Sequence, residues 1–256
     1  MNAKIEYNLH IKEVMIIEVS TMLEIKNLQK SYGKKEILHG INLTIENGDL
    51  FGFIGANGAG KTTTIKCVCG INEFESGEIF INKKNIKDDP IYCKSITAYI
   101  PDNPDMYEYL TGIQYLSFIA DIYNISKEDR EKDINRYASL FELDKVLGDL
   151  INSYSHGMKQ KLALISALIR KPKLLILDEP FVGLDPKASH TVKEIMKDMC
   201  AGGASIFFST HVLEVAEKLC NKIAIIKDGN IVASGEIEDV KGNSSLEEVF
   251  LSLADE

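Results

Sequence analysis

Long apolar runs are missing from this 256-residue sequence: the longest, such as Leu162 to Ile169, fall well short of the roughly 18 to 20 residues that a bilayer crossing requires. Any membrane role must therefore come through a partner. Positive charge is also scarce, with 29 Lys and Arg against 38 Asp and Glu and a net charge of −9. A protein whose task is to grip phosphate backbones carries the opposite balance, so no nucleic acid is expected as a partner. The five cysteines, Cys67, Cys69, Cys93, Cys200 and Cys220, form no Cys-x-x-Cys pair and sit mostly among apolar neighbours. They read as reduced thiols of a cytosolic protein. Cys67 and Cys69, two apart on a helix, point to different faces, which argues against a shared metal. Internal repeats, low-complexity tracts and sustained heptads are missing too.

The residues before Met22 carry Lys4, Glu6, Lys12, Glu13 and Glu18, which break up a short apolar run and make it unlike a secretory signal. Glu18-Val19 can be encoded by a purine-rich ribosome-binding sequence just ahead of the codon for Met22. Residues 1–21 are accordingly read as an extension, with Met22 as the candidate start of a domain over 22–256. At 45% hydrophobic and 26% charged residues, the chain can bury one large core or two small ones.

Periodicity divides the chain in three. From Leu23 to about Phe80 the pattern alternates as strands do, with a short apolar run at Leu50 to Ile54 followed by glycines and a helix from Gly60 to about Cys69. Between Asp102 and Arg170 the period becomes helical, in segments near Thr111 to Tyr123, Lys127 to Phe141 and His156 to Arg170. Strand and helix then alternate: Leu174 to Leu177, Pro186 to Cys200, Ser205 to Ser209, His211 to Leu219 and Ile223 to Ile226, with Asp228-Gly229 as a hairpin turn. The pattern predicts a mainly parallel α/β sheet with an all-helical insertion.

Two motifs carry chemistry. Gly55-Ala56-Asn57-Gly58-Ala59-Gly60-Lys61-Thr62 matches G-x-x-x-x-G-K-[ST] between a strand and a helix. Its glycines let successive N–H groups and the helix start face phosphates, Lys61 reaches the β and γ phosphates, and the Thr62 hydroxyl ligates Mg²⁺. Leu174 to Asp178 is an apolar strand tipped by a carboxylate, where a P-loop enzyme needs an Asp for its Mg²⁺ shell; Glu179, one residue on, has the reach to orient or deprotonate water.

With these motifs, the chain resembles the ATP-binding-cassette (ABC) ATPases from about Met22 to Leu253. Tyr32 matches the family's adenine-stacking aromatic, and Ser155-His156-Gly157-Met158 stands at its signature motif. There Tyr154, His156 and Met158 replace the usual Leu, Gly and Gln, while Ser155 and Gly157 remain. Gly183-Leu184-Asp185-Pro186 matches the D-loop, His211 the switch histidine, and Asp102 the position of a Mg²⁺-contacting glutamine. Read alone, Ser155 is a helix N-cap and Asp102 a turn-former. The resemblance implies a RecA-like P-loop NTPase core with an antiparallel β subdomain (about 22–101 and 171–240), a helical subdomain (about 102–170) and a short C-terminal helix (about 245–254).

For the site, the resemblance implies catalysis by Lys61, Glu179 and His211. ATP would contact Tyr32, residues 55–60, Lys61, Thr62, Thr63, Asp102, Ser155, Gly157 and Asp185. Mg²⁺ would lie on Thr62, Asp102 and Asp178. Tyr99 to Gly112, the Tyr154 to Gln160 stretch and Ser245 to Phe250 resemble the ATPases of bacterial ABC-2 type exporters. This implies an ATP-hydrolysing subunit of an exporter, paired with a second cassette as homodimer or heterodimer and held under the cell membrane by a transmembrane permease. The alternative is a non-transport ABC ATPase acting on ribosomes or DNA; such proteins commonly carry two cassettes in one chain or long coiled coils.

Overall fold

The computed structural model describes residues 20–255, so the extension expected over 1–21 lies outside the described residues except for its last two. The alternating start of the chain becomes a long antiparallel pair, β1 (Thr21–Tyr32) and β2 (Lys35–Glu46), turning through Gly33 at φ 61°. Next come the fully buried β3 (Leu50–Ile54), the glycine loop and α1 (Lys61–Val68). Strands β4 (Ser76–Ile81) and β5 (Lys84–Asn85) complete an antiparallel sheet of order β2-β1-β4-β5. Then α2 (Pro90–Ile96) leads directly into β6 (Thr97–Ile100).

The helical segment supplies α3 (Gly112–Ile122), α4 (Lys127–Leu140) and α5 (His156–Leu168), close to the expected spans. Each begins where a side-chain oxygen meets an N–H group left over by the first turn. Thr111 and Gln114 form a capping box, Ser126 caps α4 and Ser155 caps α5. The chain then alternates through β7 (Leu174–Asp178), α6 (Pro186–Ala201), β8 (Ser205–Thr210), α7 (Leu213–Leu219), β9 (Lys222–Lys227) and β10 (Asn230–Glu236), ending in α8 (Ile237–Lys241) and α9 (Leu246–Asp255). The second sheet has the order β10-β9-β3-β8-β7-β6. It is parallel apart from β10, which returns through the Asp228-Gly229 hairpin.

The period-two pleat sends alternate residues of this sheet into two cores. On one face Leu175, Leu177, Ile206, Phe208, Ile223 and Ile225 join the helical segment and α6 in a single apolar cluster. On the other, Leu174, Ile176, Phe207, Ala224 and Ile226 pack with α1 and the antiparallel sheet. Arg170, just beyond α5, fastens the helical layer to the edge strand. Its guanidinium lies 3.6 Å from the Tyr123 ring centroid and donates to the carbonyls of Thr97 (2.5 Å) and Lys94 (3.1 Å), while burial lowers its pKa.

Two elements depart from the sequence pattern. The α2–β6 segment was not expected: β6 is four residues closed by Pro101, too short to display a period. Helix α7 begins at Leu213 rather than His211, because the Val212 N–H donates to Thr210 Oγ1 (3.0 Å) in a turn that leaves His211 outside the helix.

Candidate functional site

The C-terminal tips of β3, β7 and β8 meet at one edge of the parallel sheet, where α/β folds bind ligands. From β3 the chain curls through Gly55 to Gly60 into α1. A Cβ on Gly55 would lie 2.5 Å from the Ile226 carbonyl oxygen, and one on Gly60, at φ 114°, would lie 2.8 Å from Leu38 Cδ2. Only glycine lets the loop pack this tightly. No side chain caps the start of α1 and no acid stands in its first turn, so its leading N–H groups and the positive end of its dipole face the loop.

Lys61 is 6% exposed, and its ammonium sits inside the loop, donating to the carbonyls of Gly55 (2.7 Å) and Ala56 (3.2 Å). Thr62 Oγ1 donates to Asp178 Oδ2 at 2.8 Å. Asp178, the last residue of β7, is buried, and its second oxygen accepts from Ser209 Oγ at 2.5 Å. Ser209 in turn accepts from the Glu179 N–H at 3.1 Å. Glu179 adopts φ 49°, a left-handed conformation that costs a non-glycine residue about 1–2 kcal/mol and here clusters with the chemistry. Its Oε1 is 3.0 Å from His211 Nδ1 and 3.7 Å from Lys61 Nζ, inside ion-pair range of both. The Lys61 contact is too long for a hydrogen bond and the His211 contact does not meet hydrogen-bond geometry, so this buried carboxylate oxygen accepts no hydrogen bond.

The structure thus brings Lys61, Thr62, Asp178, Glu179 and His211 into one cluster. The glycine loop, Gly55 to Gly60, wraps the Lys61 ammonium of this cluster, and the remaining candidates lie outside it. Tyr32 is 51% exposed at the end of β1, its hydroxyl accepting from Asn72 Nδ2 (2.7 Å) and its ring centroid 5.1 Å from Lys30 Nζ. Thr63 lies within the first turn of α1. Asp102 is exposed just past β6, beside β7, and accepts no side-chain hydrogen bond among the described residues. It and Asp178 both act on the buried Tyr99 hydroxyl, whose pKa is raised by burial first and then by Asp178, Cys69 and Asp102. Ser155 caps α5 by accepting from the Met158 N–H (3.3 Å), and Gly157 abuts the Gly183 carbonyl. Asp185 caps α6 and pairs with Lys161 at 2.7 Å; that hydrogen bond, followed by the one from the Ala188 N–H, lowers its pKa.

Ser209 is a site residue that the sequence reading missed. Its only signal is register, because Ser209 stands opposite Asp178 in the β7–β8 ladder. Equally unforeseen is a cavity of about 310 Å³ between the outer wall of the glycine loop, Ala56 to Ala59, and Phe250 and Leu253 of α9. Lys227 Nζ donates to the Leu253 carbonyl (2.8 Å) beside it.

Comparison with known proteins accounts for this arrangement. The family described as "ABC transporter" matches residues 38–182, more than half of the chain. The chain is 35% identical to the ABC-type transporter ATP-binding protein EcsA of Bacillus subtilis (strain 168), over 92% of this chain and 98% of that protein. It is 34% identical to the linearmycin resistance ATP-binding protein LnrL of the same organism, over 86% of this chain and 70% of that protein. A solved ATP-binding subunit of an ABC transporter superposes with a TM-score of 0.88 at 36% identity, covering 91% of this chain and 100% of the other. With the glycine loop, the buried Asp178 and the poised Glu179 set on this fold, the chain belongs to the ATP-binding proteins of the ABC transporters, the subunits that bind and hydrolyse ATP to drive transport.

Proposed function

We propose that this subunit works as one of two cassettes that close head to tail over two ATP molecules, beneath a membrane-spanning permease, and that it drives export. The observation that carries the chemistry is the buried Oε1 of Glu179, which accepts no hydrogen bond and lies beside Lys61 and His211. In this reading the N–H groups of residues 55–60 and the open start of α1, with Thr62 and Thr63, hold the phosphates. Lys61 turns from the loop carbonyls to the β and γ phosphates. Glu179 orients the attacking water and takes its proton, and His211 fixes that water against the γ-phosphate. Tyr32 stacks on adenine. Ser155 and Gly157 serve the nucleotide of the partner cassette, with Asp185 at the same seam.

Mg²⁺ suits the pair of Thr62 and Asp178. Both donors are hard oxygens, and their 2.8 Å separation matches the edge of an octahedron with bonds of about 2.0–2.1 Å. Bound there, the ion would neutralise charge on the β and γ phosphates. The exposed carboxylate of Asp102 would join its shell through a water.

Among the described residues no helix is long and apolar enough to cross a membrane, and an exposed apolar surface on the helical layer suits a permease contact. Tyr107 lies 5.9 Å from Tyr109 and 5.7 Å from Phe118, ring centroid to centroid, with Ile122 further along α3. Docked there, the chain sits on the inner face of the cell membrane. Its subunit architecture divides into a core with its β subdomain (about 22–101 and 171–240), a helical subdomain (about 102–170) and a C-terminal helix (about 245–254). Export is supported by the resistance function in the name of LnrL.

Glu179→Gln tests the reading, because the amide keeps the shape and loses the basic oxygen. The variant is expected to bind Mg-ATP, to stop hydrolysing it and to accumulate as a stable dimer in sedimentation or size-exclusion measurements. A variant that stays wholly monomeric at saturating Mg-ATP and high protein concentration overturns the two-cassette arrangement.

A further inference from the structure

The short segment 179–187 joins the catalytic cluster to the helical layer and is fastened at both ends. At the near end the Glu179 N–H donates to Ser209 Oγ, and the Glu179 carbonyl accepts from the Val182 N–H at 3.2 Å. Midway along, Gly183, at φ 79°, packs against the first two residues of α5. A Cβ there would lie 2.5 Å from His156 Cδ2 and 2.9 Å from His156 Nε2, so the edge of the imidazole rests directly on the glycine backbone. The Gly183 carbonyl presses on Gly157, where a Cβ would lie 2.8 Å from the oxygen. Further along, Asp185 is paired with Lys161 of α5, and Lys187 with Glu142 just past α4.

We infer that His156 is a positioning residue: its imidazole, packed on Gly183, locks the turn that starts α5 to the segment that carries Glu179, so that the placement of the turn sets the placement of the chain's own carboxylate. The inference rests on the proposed reading in which that turn serves the partner's nucleotide while Glu179 serves its own. Engagement of the turn at one nucleotide then alters Glu179 at the other. The packing needs a flat ring of this size and no charge. Glycine, the usual family residue at this position, would leave Gly183 without its cover. Lys161 supplies a second tether one turn further along α5.

Amide hydrogen exchange on the nucleotide-free protein isolates the packing from turnover and from dimer formation, so its failure is distinct from failure of the proposed function. In His156→Gly the amides of Val182 and Leu184, hydrogen-bonded to the carbonyls of Glu179 and Phe181, are expected to exchange at least about threefold faster. His156→Phe, which refills the space, is expected to restore them. In turnover, His156→Gly should lower kcat roughly tenfold through misplacement of Glu179, with KM for ATP unchanged. His156→Phe should recover kcat. Lys161→Met should lower kcat alone, and its effect should combine less than additively with that of His156→Gly. Unchanged exchange in His156→Gly overturns the inference. So does a His156→Phe protein with restored exchange but uncorrected kcat, since the imidazole would then act by touching nucleotide.

Discussion

Lys61, Asp178 and Ser209 are nearly inaccessible and bonded to one another or to the glycine loop, whereas Ser155, His156 and Asp185 lie exposed on the helical side. The first group is complete within one chain. The second has its own local bonds, a cap on α5, a cap on α6 and a tie to Lys161, and none of them reaches the glycine loop. The contrast teaches where the work of each half is done. A closed network is organised before ligand arrives, so its electrostatic work needs little reorganisation. An exposed turn with its cap already satisfied is a surface for something else to meet.

The contrast is broken most severely at Lys61. Lys61→Ala removes the cation of the closed half and is expected to weaken ATP binding and to lower turnover by about a hundredfold or more. Nucleotide titration and phosphate release measure the two effects, and normal activity would detach the site from the glycine loop altogether.

The open half is sharpened by Ser155→Asp. Aspartate caps a helix about as well as serine, so the unfolding free energy should stay within about 0.5 kcal/mol. If the proposed two-cassette arrangement holds, a negative charge set against the partner's phosphates should nonetheless reduce turnover on the order of a hundredfold, while the isolated chain still binds ATP. Retained turnover would mean that Ser155 is a cap and nothing more.

The smallest effect is expected at Asp102. Asp102→Asn keeps turn propensity and removes charge; an exposed charge contact is worth roughly 0–1 kcal/mol, so the Mg²⁺ needed for half-maximal turnover should rise by up to about fivefold. The melting temperature should not move. A lowered melting temperature with untouched Mg²⁺ dependence would make Asp102 a turn-former.

The sequence is most informative where function is written in consecutive residues. The glycine loop and Asp178-Glu179 each sit in one strand-to-loop transition, and the structure places Lys61, Thr62, Asp178 and Glu179 in one cluster. Ser209 was invisible because its role depends on a strand register across 31 residues of sequence, which no local pattern carries. Strand β6 escaped because four residues before a proline hold no period. The grip of His156 on Gly183 depends on a left-handed glycine meeting a helix start from another layer, which no local pattern carries.

The terminal helix has a practical bearing on how the protein is handled. Since α9 walls the cavity behind Ala56 to Ala59 and its Leu253 carbonyl is held by Lys227, a label or anchor attached to α9 sits close to the glycine loop. Such an attachment calls for an ATP-binding control on the protein without it.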